Sequence, residues 1–109
     1  MALVHFSQEG FDKAVSSGAL VAVDFWAAWC GPCQMLGPVI DKLAQEYEGR
    51  AVVGKVDVDQ EQELAIRHGV MSIPTIIFFK DGQELERRVG IAPGVDPFQD
   101  LSGVLDRNM

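Results

Sequence analysis

The sequence predicts an α/β fold of one domain over residues 1–109, with a mixed β-sheet that is parallel in its N-terminal half, ends in an antiparallel hairpin, and is flanked by helices. Three observations carry this. Strand-like apolar runs alternate with short amphipathic stretches along the whole chain, without repeat, low-complexity segment or linker. The run "ALVAVDFWAAW" is apolar at both parities, as a central strand buried on both faces must be. The run "TIIFFKDGQELERRV" places two β-rich segments on either side of Asp81-Gly82, the dipeptide of a tight antiparallel turn.

Taken in order, the chain opens with a short strand over residues 3–6. Ser7 then caps a helix that turns Phe11, Ala14 and Val15 inward and stops at Gly18. In the central strand Val21, Val23 and Phe25 face one way and Leu20, Ala22 and Trp26 the other, with Asp24 as the lone charge. The next helix is expected from about Cys33 to Tyr47, with Leu36, Val39, Ile40 and Leu43 on its inner face, a kink at Pro38 and Gly49 beyond its end. "AVVGKVDV" follows as a strand, and Asp59 is expected to cap a short helix ending at Gly69. After the hairpin, a last helix begins at Asp96 with Pro97 in its first position and Phe98, Leu101 and Leu105 inward.

A chain of 109 residues with 48% hydrophobic content can form a core that folds unaided. Its formal charge of −7 leaves no basic patch to release counterions from a phosphate backbone, so partners are expected among proteins or small molecules and not nucleic acids. The start "MALVHFSQEG" has no basic leader, and no run approaches the roughly 20 apolar residues that span a bilayer. This reads as a soluble, cytoplasmic protein without membrane association.

The two cysteines, Cys30 and Cys33, are only three positions apart. So short a loop removes little chain entropy when cross-linked, which makes stabilisation a poor reason for the pair. Chemistry is a better one. At the mouth of a helix, unpaired N–H groups and the helix dipole favour negative charge, which eases ionisation of Cys30 to the nucleophilic thiolate. Cys33, one turn further on the same face, can then attack a mixed disulfide at Cys30. Gly31 and Pro32 keep the turn tight and leave the outer sulfur without a bulky cover. A zinc site would need about four ligands, and only His5 and His68 could join the pair, without zinc-finger spacing. The other alternative, inert core packing, fits poorly with a Gly-Pro turn at a helix start.

"VDFWAAWCGPC", followed by "SIPT" and later "VG", resembles the thioredoxin family, and the element order matches that family's fold over the whole chain. The resemblance implies a general protein-disulfide reductase with Cys30 as attacking thiolate and Cys33 as resolving thiol, cycling without a bound cofactor or metal. Asp24 corresponds to a buried carboxylate that accepts the Cys33 proton, and Lys55 to the lysine paired with it. Burial in a strand apolar on both faces independently raises the proton affinity of Asp24. Trp29, Gly31, Pro32, Ile73, Pro74 and Gly90 would form the substrate-binding surface, with Pro74 in the cis form and Ile73 offering backbone groups to an extended substrate strand. Trp26 would pack beneath the site. The implied partners are disulfide-containing proteins and a flavin-dependent, NADPH-drawing thioredoxin reductase, and the implied state is a monomer.

Two departures bear on this. Gln34 stands where many thioredoxins carry Lys or Arg, which removes a cation near Cys30. "GIAPGVDP" places Ile91 where a smaller residue is common and stiffens the approach to the last helix with two prolines. The same fold also serves oxidants and isomerases, against which the Gly31-Pro32 pair argues, and scaffold subunits whose redox turnover is incidental.

Overall fold

The computed structural model describes residues 3–109. Chain order is β1 (Leu3–His5), α1 (Gln8–Ser16), β2 (Val21–Trp26), α2 (Gly31–Glu46), β3 (Val52–Asp57), α3 (Gln62–Arg67), β4 (Thr75–Lys80), β5 (Gln83–Val89) and α4 (Pro97–Arg107). The five strands form one sheet in the order β1-β3-β2-β4-β5. β1 and β2 run parallel to β3, whereas β4 is antiparallel to both β2 and β5. The parallel half and the antiparallel hairpin are therefore both present, and β2 lies at the centre of the sheet as its two apolar parities require.

Each parity of β2 feeds a different core. Val21, Val23 and Phe25 join Phe6, Phe11, Val56, Leu64, Ile77 and Phe79 on the face covered by α1 and α3. Ala22 joins Leu36, Ile40, Leu43, Phe78, Leu101, Val104 and Leu105 on the face covered by α2 and α4. Burying one such large side chain contributes about 1.5–3 kcal/mol, so the two layers together supply most of the drive to fold. His68 belongs to the first layer: its ring lies 5.0 Å from Phe11 and 5.5 Å from Phe79.

Local signals fix most element ends. The Ser7 hydroxyl accepts from the Gly10 N–H at 3.1 Å, and the Asp96 carboxylate accepts from the N–H groups of Phe98 and Gln99, so both predicted caps are made. At the hairpin both Asp81 (φ 54°) and Gly82 (φ 80°) have positive φ, as a type I′ turn demands. α2 runs through Pro38. Three boundaries differ from expectation. β1 ends at His5, although the Phe6 N–H still bonds the Lys55 carbonyl at 2.9 Å. α2 begins at Gly31, ahead of Cys33, because Pro32 has its pre-set φ within the first turn and Cys30 supplies the cap. α3 begins at Gln62 after Glu61, which makes no side-chain cap, so Asp59 does not cap it. The Asp57 carboxylate instead accepts from the N–H groups of Asp59 and Gln60, winding an extra turn before the helix.

One glycine is required by close approach. Gly54 lies between Val4 and Val23 in the sheet, and a Cβ there would stand 2.8 Å from the Val4 carbonyl oxygen and run into the Phe6 ring. Gly54→Ala is expected to destabilise the fold by about 1–3 kcal/mol through this overpacking, read as a lower urea midpoint at unchanged m-value.

Candidate active site

β2 ends at Trp26, and residues 27–29 carry the chain from the sheet to the start of α2, which places the cysteines at the end of the central strand. Cys30 is the N-cap of α2. Its sulfur accepts from the Cys33 N–H at 3.2 Å, so the first turn of the helix is aimed at the Cys30 sulfur. Cys30 and Cys33 form a disulfide, with Cα atoms 5.2 Å apart. The site shown is thus the oxidised state of a two-electron pair.

The surroundings are asymmetric. Trp29 is 70% exposed, and Gly31 and Pro32 are exposed beside it. The sulfurs are more covered than the sequence suggested, with Cys30 5% and Cys33 1% exposed. They pack with Ala27 against Trp26, Val58 and Ile73. Ile73 supplies part of that cover, its carbonyl oxygen lying 3.9 Å from the Cys30 sulfur, and the Ile73-Pro74 peptide bond is cis. Ile73 is half-buried and Pro74 buried, so of this pair Ile73 contributes more to the surface. The Pro74 carbonyl accepts from the Gly90 N–H at 2.8 Å, which ties the end of β5 to the same corner. Gly90 has φ 72°, and a Cβ there would point into open space. Three separate stretches of chain are thus linked: residues 29–32 adjoin or separate the cysteines, Ile73 lies against Cys30, and Pro74, next to Ile73, holds Gly90 by its backbone.

Asp24 is fully buried, and neither carboxylate oxygen has a hydrogen-bond partner among the described residues. Desolvation raises its pKa from 3.8 to about 7, with the Lys55 charge opposing the rise. Asp24 shares the parity of Ala22 and Trp26, hence the sheet face on which α2 packs. Asp24 and Lys55 are register partners on neighbouring parallel strands. They form no ion pair: the Lys55 ammonium lies 4.4 Å from the centroid of the Trp26 ring, a cation–π contact that keeps its charge near the acid while its stem stays partly exposed. Trp26 therefore links the lysine to the cysteine cluster, more than the filler its sequence position suggested.

Two contacts escaped the sequence reading. The Trp29 indole N–H donates to Asp59 at 2.8 Å, which fixes the exposed ring beside the disulfide. The Gln34 side-chain amide donates to the Ala28 carbonyl at 2.6 Å, latching the loop before Cys30 to the first turn of α2. Neither has a local signal: the first pair is 30 residues apart, and Gln34 is unremarkable on an exposed helix face. Beside Trp29, a groove of about 380 Å3 is lined by Val58, Ala65, Val70, Met71 and Ile73. No group of three or more His, Cys, Asp or Glu side chains able to hold a metal occurs among the described residues, and no helix among them is long and apolar enough to cross a membrane.

Comparison with known proteins agrees with this geometry. The sequence model of the thioredoxin family matches residues 2–100. Thioredoxins of Staphylococcus aureus, among them that of strain Mu50, are 47% identical over 109 residues, covering 100% of both chains. Among solved structures, a mutant thioredoxin from Halobacterium salinarum superposes with a TM-score of 0.80 at 38% identity, covering 96% of this chain and 87% of that one. The Malassezia sympodialis thioredoxin superposes with a TM-score of 0.82 at 35% identity, covering 98% and 90%. With a five-stranded mixed sheet, a Cys-Gly-Pro-Cys disulfide at the head of α2 and relatives matching from end to end, the chain is a protein-disulfide oxidoreductase and belongs to the thioredoxin family.

Proposed function

We infer that the chain acts as a general protein-disulfide reductase in which Cys30 attacks and Cys33 resolves. The observation that carries this is the Cys30 sulfur as N-cap of α2, where a thiolate gains the Cys33 N–H and the positive end of the helix. In the dithiol form, the Cys30 thiolate attacks one sulfur of a substrate disulfide, forming a mixed disulfide and expelling the other sulfur as thiolate. The Cys33 thiol gives its proton to Asp24, and its thiolate attacks the Cys30 sulfur. The Cys30–Cys33 disulfide forms and the second substrate thiolate leaves, so two electrons pass to the substrate and the pair is oxidised.

Asp24 suits the acceptor role because a carboxyl with a pKa of about 7 exchanges protons readily near neutral pH. Lys55, across the register from it, tempers that affinity. An extended substrate segment lies over Trp29, Gly31, Pro32 and Gly90 and pairs with the backbone of Ile73 and Pro74. A separate thioredoxin reductase, flavin-dependent and supplied by NADPH, returns the disulfide to the dithiol, so the chain itself carries no cofactor and works as a monomer. A reducing compartment such as the cytoplasm is the setting in which this direction of electron flow is sustained.

The test is the reduction potential of the pair, titrated against a dithiol buffer and followed by the fluorescence of Trp26 and Trp29. The expected value is close to about −270 mV, the potential by which thioredoxins themselves define the reducing end of this scale, whereas disulfide isomerases and oxidants lie near −180 and −120 mV. A value in the latter range would reverse the direction of electron flow, and the absence of any two-electron transition would reduce the fold to a scaffold.

A further inference from the structure

We propose that Met71 is a modification site at which peroxide restricts substrate access to the cysteine pair, an inference that rests on the reductase reading above. Met71 is 94% exposed, more than Trp29 (70%), Met35 (75%) or Ile66 (78%). It lies in the connection between α3 and β4 that ends in the cis Ile73-Pro74 bond, and it lines the groove with Trp29 and Ile73. That groove is continuous with the site, since the Ile73 carbonyl oxygen is 3.9 Å from the Cys30 sulfur. A thioether on three rotatable bonds adapts to apolar surfaces of varied shape, which suits a contact that must accept many substrates.

The same sulfur is open to oxidation. Hydrogen peroxide transfers one oxygen to the thioether: an S–O bond forms, the O–O bond breaks, the remaining oxygen leaves as water, the thioether is oxidised and the peroxide reduced. In the disulfide form the cysteines carry no thiolate to consume peroxide, so exposed methionines are the accessible sulfurs. A sulfoxide oxygen at Met71 is a strong hydrogen-bond acceptor that must be stripped of water before an apolar segment can seat in the groove. Docking weakens, while the sulfur chemistry of Cys30 and Cys33 is left intact. Met35 lies on α2 outside the groove and provides the comparison.

In the test, the disulfide forms of the native protein, Met71→Leu and Met35→Leu are exposed to hydrogen peroxide, the peroxide is removed, and oxidised residues are located by peptide mass spectrometry. Insulin reduction, driven by dithiothreitol, is then measured for each protein against its own untreated sample, together with the potential of the cysteine pair. Native protein and Met35→Leu are expected to gain one oxygen at Met71 and to show KM raised about tenfold, the equivalent of about 1.4 kcal/mol, with the potential unchanged. Met71→Leu is expected to show no such change. The proposal is overturned if Met71 stays unoxidised while Met35 or Met109 is converted, if Met71→Leu loses as much as the native protein, or if the potential moves with KM. Untreated protein that reduces no insulin would sink the reductase reading and this inference with it, whereas untreated activity that survives oxidation at Met71 would sink this inference alone.

Discussion

Cys30→Ser is expected to lower disulfide reduction by at least about 10³-fold, as deletion of a nucleophile does, while Cys33→Ser performs the first attack and halts there. The two sulfurs differ in what surrounds them. The Cys30 sulfur accepts the Cys33 N–H at 3.2 Å at the positive end of α2, both of which stabilise a thiolate, and it is flanked by exposed Trp29, Gly31 and Pro32. Cys33 is more deeply buried than Cys30, 1% against 5% exposed, which favours Cys30 as the sulfur a bulky substrate meets first. A serine at position 30 ionises far too weakly to replace the thiolate, so no covalent intermediate forms. A serine at position 33 leaves the mixed disulfide without a resolving group, and intact-mass spectrometry should find Cys33→Ser joined to insulin chains, an adduct that dithiothreitol releases. Accumulation of the adduct on Cys30→Ser instead would exchange the two roles.

Legibility in the sequence followed how local each determinant is. The hairpin was readable because Asp81-Gly82 alone imposes the two positive φ values. The centrality of β2 and the burial of Asp24 were readable because a single charge in a run apolar at both parities has nowhere else to go. The start of α2 was placed too late because Gly31-Pro32 resembles a loop, whereas a proline in the first turn of a helix loses no hydrogen bond there. Asp59 resembled a cap by its position before an acidic turn, but its carboxylate answers to an indole 30 residues away. Lys55 shares its strand parity with Asp57, and only the tertiary structure reveals that its ammonium rests on Trp26 instead of in an ion pair. The cis form of Ile73-Pro74 has no local code of its own. The pairing of the cysteines was legible because their spacing and the glycine-proline turn between them lie within four residues, whereas the cover over the sulfurs comes from Val58 and Ile73, far along the chain. The surface that would receive a substrate was legible only through family resemblance, since residues 29–32, 73–74 and 90 meet through the sheet order.

Asp24→Asn should make the protein more stable at pH 8 and slower as a reductase. The native carboxyl binds its proton more tightly folded, with a pKa of about 7, than unfolded, where 3.8 applies. Between these values the folded state holds more protons than the unfolded state, so stability falls as pH rises through this window and levels off above it. The fall corresponds to about 4 kcal/mol, each tenfold change in proton affinity being worth about 1.4 kcal/mol. Asparagine is neutral throughout and close in size, and its buried amide lacks partners much as the protonated acid does. Urea denaturation should therefore show Asp24→Asn ahead by about 3–4 kcal/mol at pH 8, with the advantage shrinking towards zero at pH 4. The catalytic consequence has the opposite sign. Without a carboxylate to take the Cys33 proton, resolution of the mixed disulfide should slow about a hundredfold at neutral pH, the lower end of what a positioned acid–base group contributes. The deficit should narrow at alkaline pH, where hydroxide can take the Cys33 proton in place of the carboxylate. A stability gain that does not vary with pH would mean that Asp24 is ionised alike in both states, and the role assigned to it in proton transfer would fall with its raised pKa. A gain with the expected pH dependence and unchanged turnover would leave Asp24 as a buried charge that the fold tolerates without using.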